Sequence, residues 1–267
     1  MSNPYLDPEE LETIRAFEQK GYHIFPLADD RLIGRIREQL FTAAMEHLGP
    51  ESLSGMIDDF FSDLSQSVAP EALNDLRMHL FHSLATYNDL LPKIYRSARK
   101  YLDWIVGNEL AIQRKANLSI QMVNDASSLL PVHSDVWSGN SPYEVVLWLP
   151  LVHCYKTKSM YILPREQSQQ VYANFKPYAQ MSAERLFGEI EPNLVWLDVP
   201  PGHGVIFSHS LLHGNRVNRE GETRWSMNLR FKSLLSPYGT KELGESFLPL
   251  VIRPATRFGM NYRAPEC

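Results

Sequence analysis

Cysteine is nearly missing from this chain: 267 residues hold two, Cys154 and Cys267. Two thiols cannot build a disulfide framework or a zinc site made of thiolates. No basic run occurs, and the formal net charge is −5, which argues against nucleic acid and anionic membrane as partners. No stretch approaches 18 uninterrupted apolar residues, and the acidic opening MSNPYLDPEELETIRAF is no secretory signal. Asn117-Leu118-Ser119 fits a glycosylation sequon that means nothing without secretion. Internal repeats, low-complexity segments and linkers are also missing. These gaps leave a soluble protein of a reducing compartment, expected in the cytoplasm as a monomer or homodimer. Hydrophobic content of 44% and charged content of 21% suit one globular domain over residues 1–267 with a substantial core.

What is present divides at about Gly107. Asp7-Pro8-Glu9-Glu10 opens a helix with a cap residue, a proline in the first turn and early acids, and Gly21 stops it. YHIFPL then reads as a short strand. Asp29 or Asp30 is expected to cap a second helix that ends at Gly49. Helical periodicity continues over 54–105, with Pro70 and Pro92 as breaks. Beyond Gly107 come short strand-like runs, NLSIQMV, YEVVLWLPLV, SMYILP, NLVWLDV, HGVIFS and RWSMNLRFKSLL, separated by turn residues. Helices first and strands later predict an α+β fold, with 1–107 as helical support on one sheet, 108–235 as a sandwich or barrel, and 236–267 as an extension.

The chemistry-bearing residues lie in the second half. His133 and Asp135 stand two apart, so on extended backbone both point to one side, with Ser134 turned away. Nine histidines and twelve aspartates make about 0.4 such pairs expected by chance. Alone, the pair is either a polar turn or half of a metal site. Eighty residues on, a Pro-Gly turn leads to a strand, then His209, His213 and Gly214, and Arg224 follows eleven residues after His213. Arg224, Ser226, Asn228 and Arg230 would share one face of the last strand, a cationic face where a barrel interior should be apolar. A buried arginine needs an anion, and a carboxylate matches its fork. Two histidines and one carboxylate make a facial triad that leaves three positions of an iron open.

His133-Ser134-Asp135, Trp148 fifteen residues on, His213-Gly214, and Arg224 eleven residues further together resemble the phytanoyl-CoA dioxygenase family of non-haem iron oxygenases. The likeness covers roughly residues 118–232, and more loosely 9–26, where Gly21-Tyr22-His23-Ile24-Phe25 is similar to the family's opening. It implies a double-stranded β-helix, a jelly-roll barrel, with Fe(II), 2-oxoglutarate and O₂ as its chemical partners. His133, Asp135 and His213 would hold the iron. Arg224 would pair with the distal carboxylate of 2-oxoglutarate, Ser226 would add a hydrogen bond there, Gln121 would contact the cosubstrate, and Trp148 would wall its pocket. Departures in Lys156–Met160, Ile162–Ser168 and His203-Gly204 set the chain nearer the branch found in bacterial carbohydrate-biosynthesis clusters. The implied reaction oxidises an unactivated C–H bond of a small molecule, sugar-linked or otherwise polar and anionic. Hydroxylation is the default outcome, desaturation or ring closure the variants. Because Asp135 is retained, halogenation, which needs that position vacated, is disfavoured.

Other residues carry plainer readings. His209 is expected to pack behind the ligands, and His79 and His82, on an amphipathic helix, to face solvent or to be hydrogen-bonded locally. His153 is expected to be structural. Lys156 and Lys158 are either surface charges or contacts to an anionic substrate. The rival functions are a cosubstrate-free cupin enzyme, disfavoured because no H-x-H or H-x-E occurs, and a catalytically silent barrel used for binding, disfavoured because no ligand residue is lost.

Overall fold

The computed structural model describes residues 3–49, 56–87 and 89–265. Cys267 and the first residues of the expected 54–105 helical run lie outside them. Helix α1 (Pro8–Lys20) begins with Pro8 in its first turn, where the missing N–H costs nothing. It ends at Gly21, whose positive φ of 81° lets its N–H return to the Phe17 carbonyl at 2.7 Å. Strand β1 (Tyr22–Pro26) follows, then α2 (Leu32–Leu48). Arg31 occupies the cap position of α2, and Asp29 contributes from two residues earlier by accepting the Arg31 N–H at 3.1 Å. Helices α3 (Ile57–Ser62), α4 (Leu73–Thr86) and α5 (Leu90–Ile105) complete the helical half. Pro92 sits in the first turn of α5 rather than between helices, a position that loses no intrahelical bond.

Ten strands make two antiparallel sheets among the described residues. After β1 come β2 (Leu110–Gln113), β3 (Asn117–Gln121), β4 (Glu144–Pro150), β5 (Tyr161–Ile162), β6 (Val195–Trp196), β7 (His203–Ser208), β8 (His213–Gly214), β9 (Arg224–Ser233) and β10 (Phe247–Val251). The larger sheet runs β1-β7-β4-β9-β2-β10, with β3 also paired to β9, and the smaller runs β6-β5-β8. Period-two alternation decides which way each side chain faces. On β9, Trp225, Met227, Leu229 and Phe231 join Val145, Leu147 and Leu149 of β4 against the buried faces of α2, α3, α4 and α5. Arg224, Ser226, Asn228 and Arg230 point to the opposite side, into a cavity. Helices therefore cover one face of the larger sheet, and its other face is free to carry polar chemistry.

Several elements escaped the sequence. β2 is only LAIQ, β8 only two residues, and both exist through their partners. Helices α6 (Arg165–Ala173), α7 (Phe175–Tyr178) and α8 (Ala183–Ile190) fill the connection between β5 and β6. α6 has few apolar residues to betray a period. In the extension, β10 pairs with β2 at the sheet edge, Phe247 is buried against Ala111 and Leu234, and α9 (Pro254–Met260) follows. No helix among the described residues is long and apolar enough to cross a membrane.

Candidate metal centre

His133 and His213 are joined by their own backbones. Each donates its N–H to the other's carbonyl, at 3.0 and 2.9 Å, so two segments eighty residues apart are fixed side by side. Ser134 is extended, at φ −123° and ψ 136°, and opens the 3-10 turn Asp135–Ser138. Its buried hydroxyl donates to the His209 carbonyl at 2.8 Å, which turns Ser134 away and leaves His133 and Asp135 on the other side. One potential ligand atom from each of His133, Asp135 and His213 lies within 4.8 Å of the others.

The histidine tautomers follow from their contacts. His133 Nδ1 faces the Pro131 carbonyl at 2.8 Å and His213 Nδ1 the Leu211 carbonyl at 3.0 Å. A carbonyl only accepts, so each Nδ1 carries the proton and each Nε2 presents a lone pair. Burial first, then the neighbouring His133, pushes the His213 pKa down to about 4, so its ring is neutral near pH 7. Burial works to raise Asp135, but the fields of His213, His209, Arg230 and His133 outweigh it and hold the carboxyl below its ordinary range. Neutral imidazoles and an ionised carboxylate are the forms that bind a cation. Gly214 is required beside His213. A Cβ there would lie 2.6 Å from Tyr161 Oη and 2.7 Å from the Leu130 carbonyl, with no room to yield on the backbone side.

The three residues line a cavity of about 380 Å³ whose wall draws on both sheets. Trp148, Arg224, Ser226, Asn228 and Arg230 also line it, the last four from alternate positions of β9. Arg224 is 4% exposed. Its Nη2 donates to Ser119 Oγ at 2.9 Å, its Nη1 reaches the Ser159 carbonyl only at 3.4 Å, and its Nε has no partner. Among the described residues no carboxylate pairs with it. Burial lowers its pKa, yet a guanidinium stays charged, so a buried cation faces the cavity without an anion.

Gln121 is placed differently. It stands opposite Arg224 in the β3–β9 register, but its amide donates to the Arg216 carbonyl at 2.7 Å and it does not line the cavity. His209 is fully buried behind the ligands, its Nε2 3.6 Å from Asp135 Oδ2 and its Nδ1 3.3 Å from Glu144 Oε2. Asn140 and Lys241 went unread in the sequence, and so did the contact that Arg230, itself read on the β9 face, makes with Asp135. Arg230 Nη2 donates to Asp135 Oδ1 at 3.2 Å, Asn140 Nδ2 to the Asp135 carbonyl at 2.9 Å, and Lys241 reaches the cavity from the extension. The β9 alternation pointed to Arg230; no local signal marks Lys241. The remaining candidates lie elsewhere: His153 pairs with Asp198, His79 stacks on His47, and Lys158 is buried against Glu222. Arg216 forks onto Glu184 at 2.6 and 2.7 Å.

A His-Asp-His set that could hold a metal ion thus lies in a cavity between two antiparallel sheets. No protein-family model matches the sequence, and neither does any curated protein. Solved structures do share the fold. The chain is similar to the ThoJ non-heme monooxygenase in its nickel complex, 14% identical with a TM-score of 0.54 over 91% of this chain and 89% of that one. It is also similar to EctD from S. alaskensis with 2-oxoglutarate and 5-hydroxyectoine, 14% identical with a TM-score of 0.54 over 89% and 80%. EctD with bound iron gives 0.51 at the same identity, over 89% and 81%.

Proposed function

We propose that this protein is a non-haem Fe(II)- and 2-oxoglutarate-dependent oxygenase on a double-stranded β-helix, of the phytanoyl-CoA dioxygenase type, acting on a small molecule. The reading rests on one juxtaposition: a His-Asp-His set with both Nε2 atoms free, in the same cavity as a buried arginine that lacks an anion. The fold shared with structures holding iron and 2-oxoglutarate supports it.

His133, Asp135 and His213 would hold the iron, which when bound supplies oxidative decarboxylation of 2-oxoglutarate coupled to C–H oxidation. The carbonyls of Pro131 and Leu211 keep both imidazoles in the ligating tautomer. Arg224 binds the distal carboxylate of 2-oxoglutarate, with Ser226, two residues along the same face, donating beside it. Trp148 closes the wall and excludes water. Gln121 acts one step back: opposite Arg224 across β3–β9, it ties that pair to the 216 loop. Hydroxylation is the expected outcome.

Anaerobic addition of Fe(II) and 2-oxoglutarate should produce the weak visible charge-transfer band of a chelated 2-oxo acid. His133→Ala should lose the band. Arg224→Gln should keep it at saturation but need at least tenfold more 2-oxoglutarate. A wild-type protein that binds Fe(II) and shows no band with 2-oxoglutarate is not such an oxygenase, and the two rival readings, a cosubstrate-free cupin-type enzyme and a silent barrel, then take its place.

A further inference from the structure

The cavity continues past the metal ligands on the side away from Arg224. A second hollow of about 230 Å³ is lined by Gln113, Arg114, Lys115, Arg230, Lys241, Ser246 and Phe247. Arg230 and Lys241 belong to both, so the two volumes meet at these side chains. Four cations line this passage, Arg114 and Lys115 at its exposed mouth, and Asp135 is the one carboxylate lining either hollow. Glu242 and Glu245 are exposed on the same segment as Lys241 and line neither. In a chain of net charge −5, such a concentration of positive charge is local and against the trend.

The cations are also under-used. Arg230 offers five N–H groups and makes two long contacts, 3.2 Å to Asp135 and 3.4 Å to Gln113 Oε1, while its buried Nε has no partner. Asp135 is also the carboxylate of the candidate metal set, so its charge does not belong to Arg230 alone. Burial, then Arg230, lowers the Lys241 pKa, and the opposing fields of buried Glu144 and of Asp135 do not make up the difference. Arg114 spends its donors on the Gly244 and Glu245 carbonyls, which fixes it at the rim with its charge unpaired.

We infer that Arg230 and Lys241 form an anion-binding subsite for the primary substrate, which carries a phosphate or carboxylate group, with Arg114 and Lys115 attracting it at the entrance. The anion would sit six residues along β9 from the Arg224 subsite, with the metal ligands bordering the space between. Calling the ligand a substrate rests on the oxygenase reading. That an anion binds at this place does not.

The test therefore uses metal-free protein and simple probes. Inorganic pyrophosphate and malonate are titrated calorimetrically into wild type, Lys241→Gln, Arg114→Gln and Arg224→Gln. At least one probe should bind wild type and Arg224→Gln with similar affinity. It should bind Lys241→Gln at least tenfold more weakly and Arg114→Gln severalfold more weakly, and raised salt should weaken it in every form. The tighter probe tells phosphate from carboxylate chemistry. Absence of binding by wild type, or binding abolished by Arg224→Gln and untouched by Lys241→Gln, overturns the subsite. Neither result bears on the oxygenase reading, which the Fe(II) and 2-oxoglutarate band decides separately.

Discussion

Each of His133 and His213 spends its Nδ1 proton on a main-chain carbonyl two residues before it, so the backbone, not a flexible side chain, sets the ligating tautomer. The same burial that readies the site makes it sensitive to acid. His209 is pushed down to about 3 and His213 to about 4, in each case by burial first. In the unfolded chain both return to the ordinary histidine value near 6.5. Between there and the folded values the unfolded state binds more protons, so folding stability present above pH 6.5 is lost on acidification. Each histidine contributes up to about 1.4 kcal/mol per pH unit in that window. Asp135, held low, adds loss of the same sign at lower pH, whereas Glu144, raised chiefly by burial, offsets part of it. The urea midpoint of metal-free protein should therefore fall from pH 7 to pH 5, and His209→Gln should fall less steeply by about one proton. Equal midpoints at the two pH values would mean that neither histidine is held neutral by folding.

At the scale of elements, β9 joins the core to the site. One strand presents Trp225, Met227, Leu229 and Phe231 to the helices and Arg224, Ser226, Asn228 and Arg230 to the cavity. Trp225 is fully buried between Phe60 and Phe61, with ring centroids 5.3 and 4.7 Å away. Trp225→Ala should cost about 3–5 kcal/mol in urea unfolding, and Ser226→Ala less than about 1 kcal/mol. On the oxygenase reading Ser226→Ala should instead show its effect in 2-oxoglutarate affinity. Reversed costs would mean that the two faces have been assigned the wrong way round. This two-faced strand was legible in the sequence because period two is strict there and the polar residues break an otherwise apolar pattern. His133, Asp135, His213 and Arg224 could be grouped in the sequence through the family resemblance, since the H-x-D pair alone is close to chance, and the fold brings the four to one cavity. β8, two residues long, and β2, four, have no period to read. Helix α6 was hidden by its polar composition and α7 by its length, whereas α8, with Ser182 as cap and Ala183, Leu186, Phe187 and Ile190 as an apolar stripe, was legible and went unread. Lys241 and the Asp135–Arg230 contact depend on how loops from distant parts of the chain converge, which no local pattern records.

The whole molecule holds its cavity with parts that lie far apart in the chain: the 133–140 turn, β4, β7, β8, β9 and Lys241 of the extension. None of these walls belongs to one local unit, so whatever binds between the sheets favours the assembled state over the unfolded one. A ligand at one hundred times its dissociation constant adds about 2.7 kcal/mol when it does not bind the unfolded chain. For a protein of this size that is worth roughly 5–10 °C in melting temperature. Nickel, a redox-silent ion of similar ligand preference, allows the measurement in air. Nickel alone should raise the melting temperature of wild type and of Arg224→Gln alike, because Arg224 touches none of the metal ligands. Adding 2-oxoglutarate should raise it further in wild type and much less in Arg224→Gln. His213→Ala should respond to neither addition at the same concentrations. If 2-oxoglutarate stabilised His213→Ala as strongly as wild type, it would be binding independently of the metal, and the triad and Arg224 would be two sites rather than one.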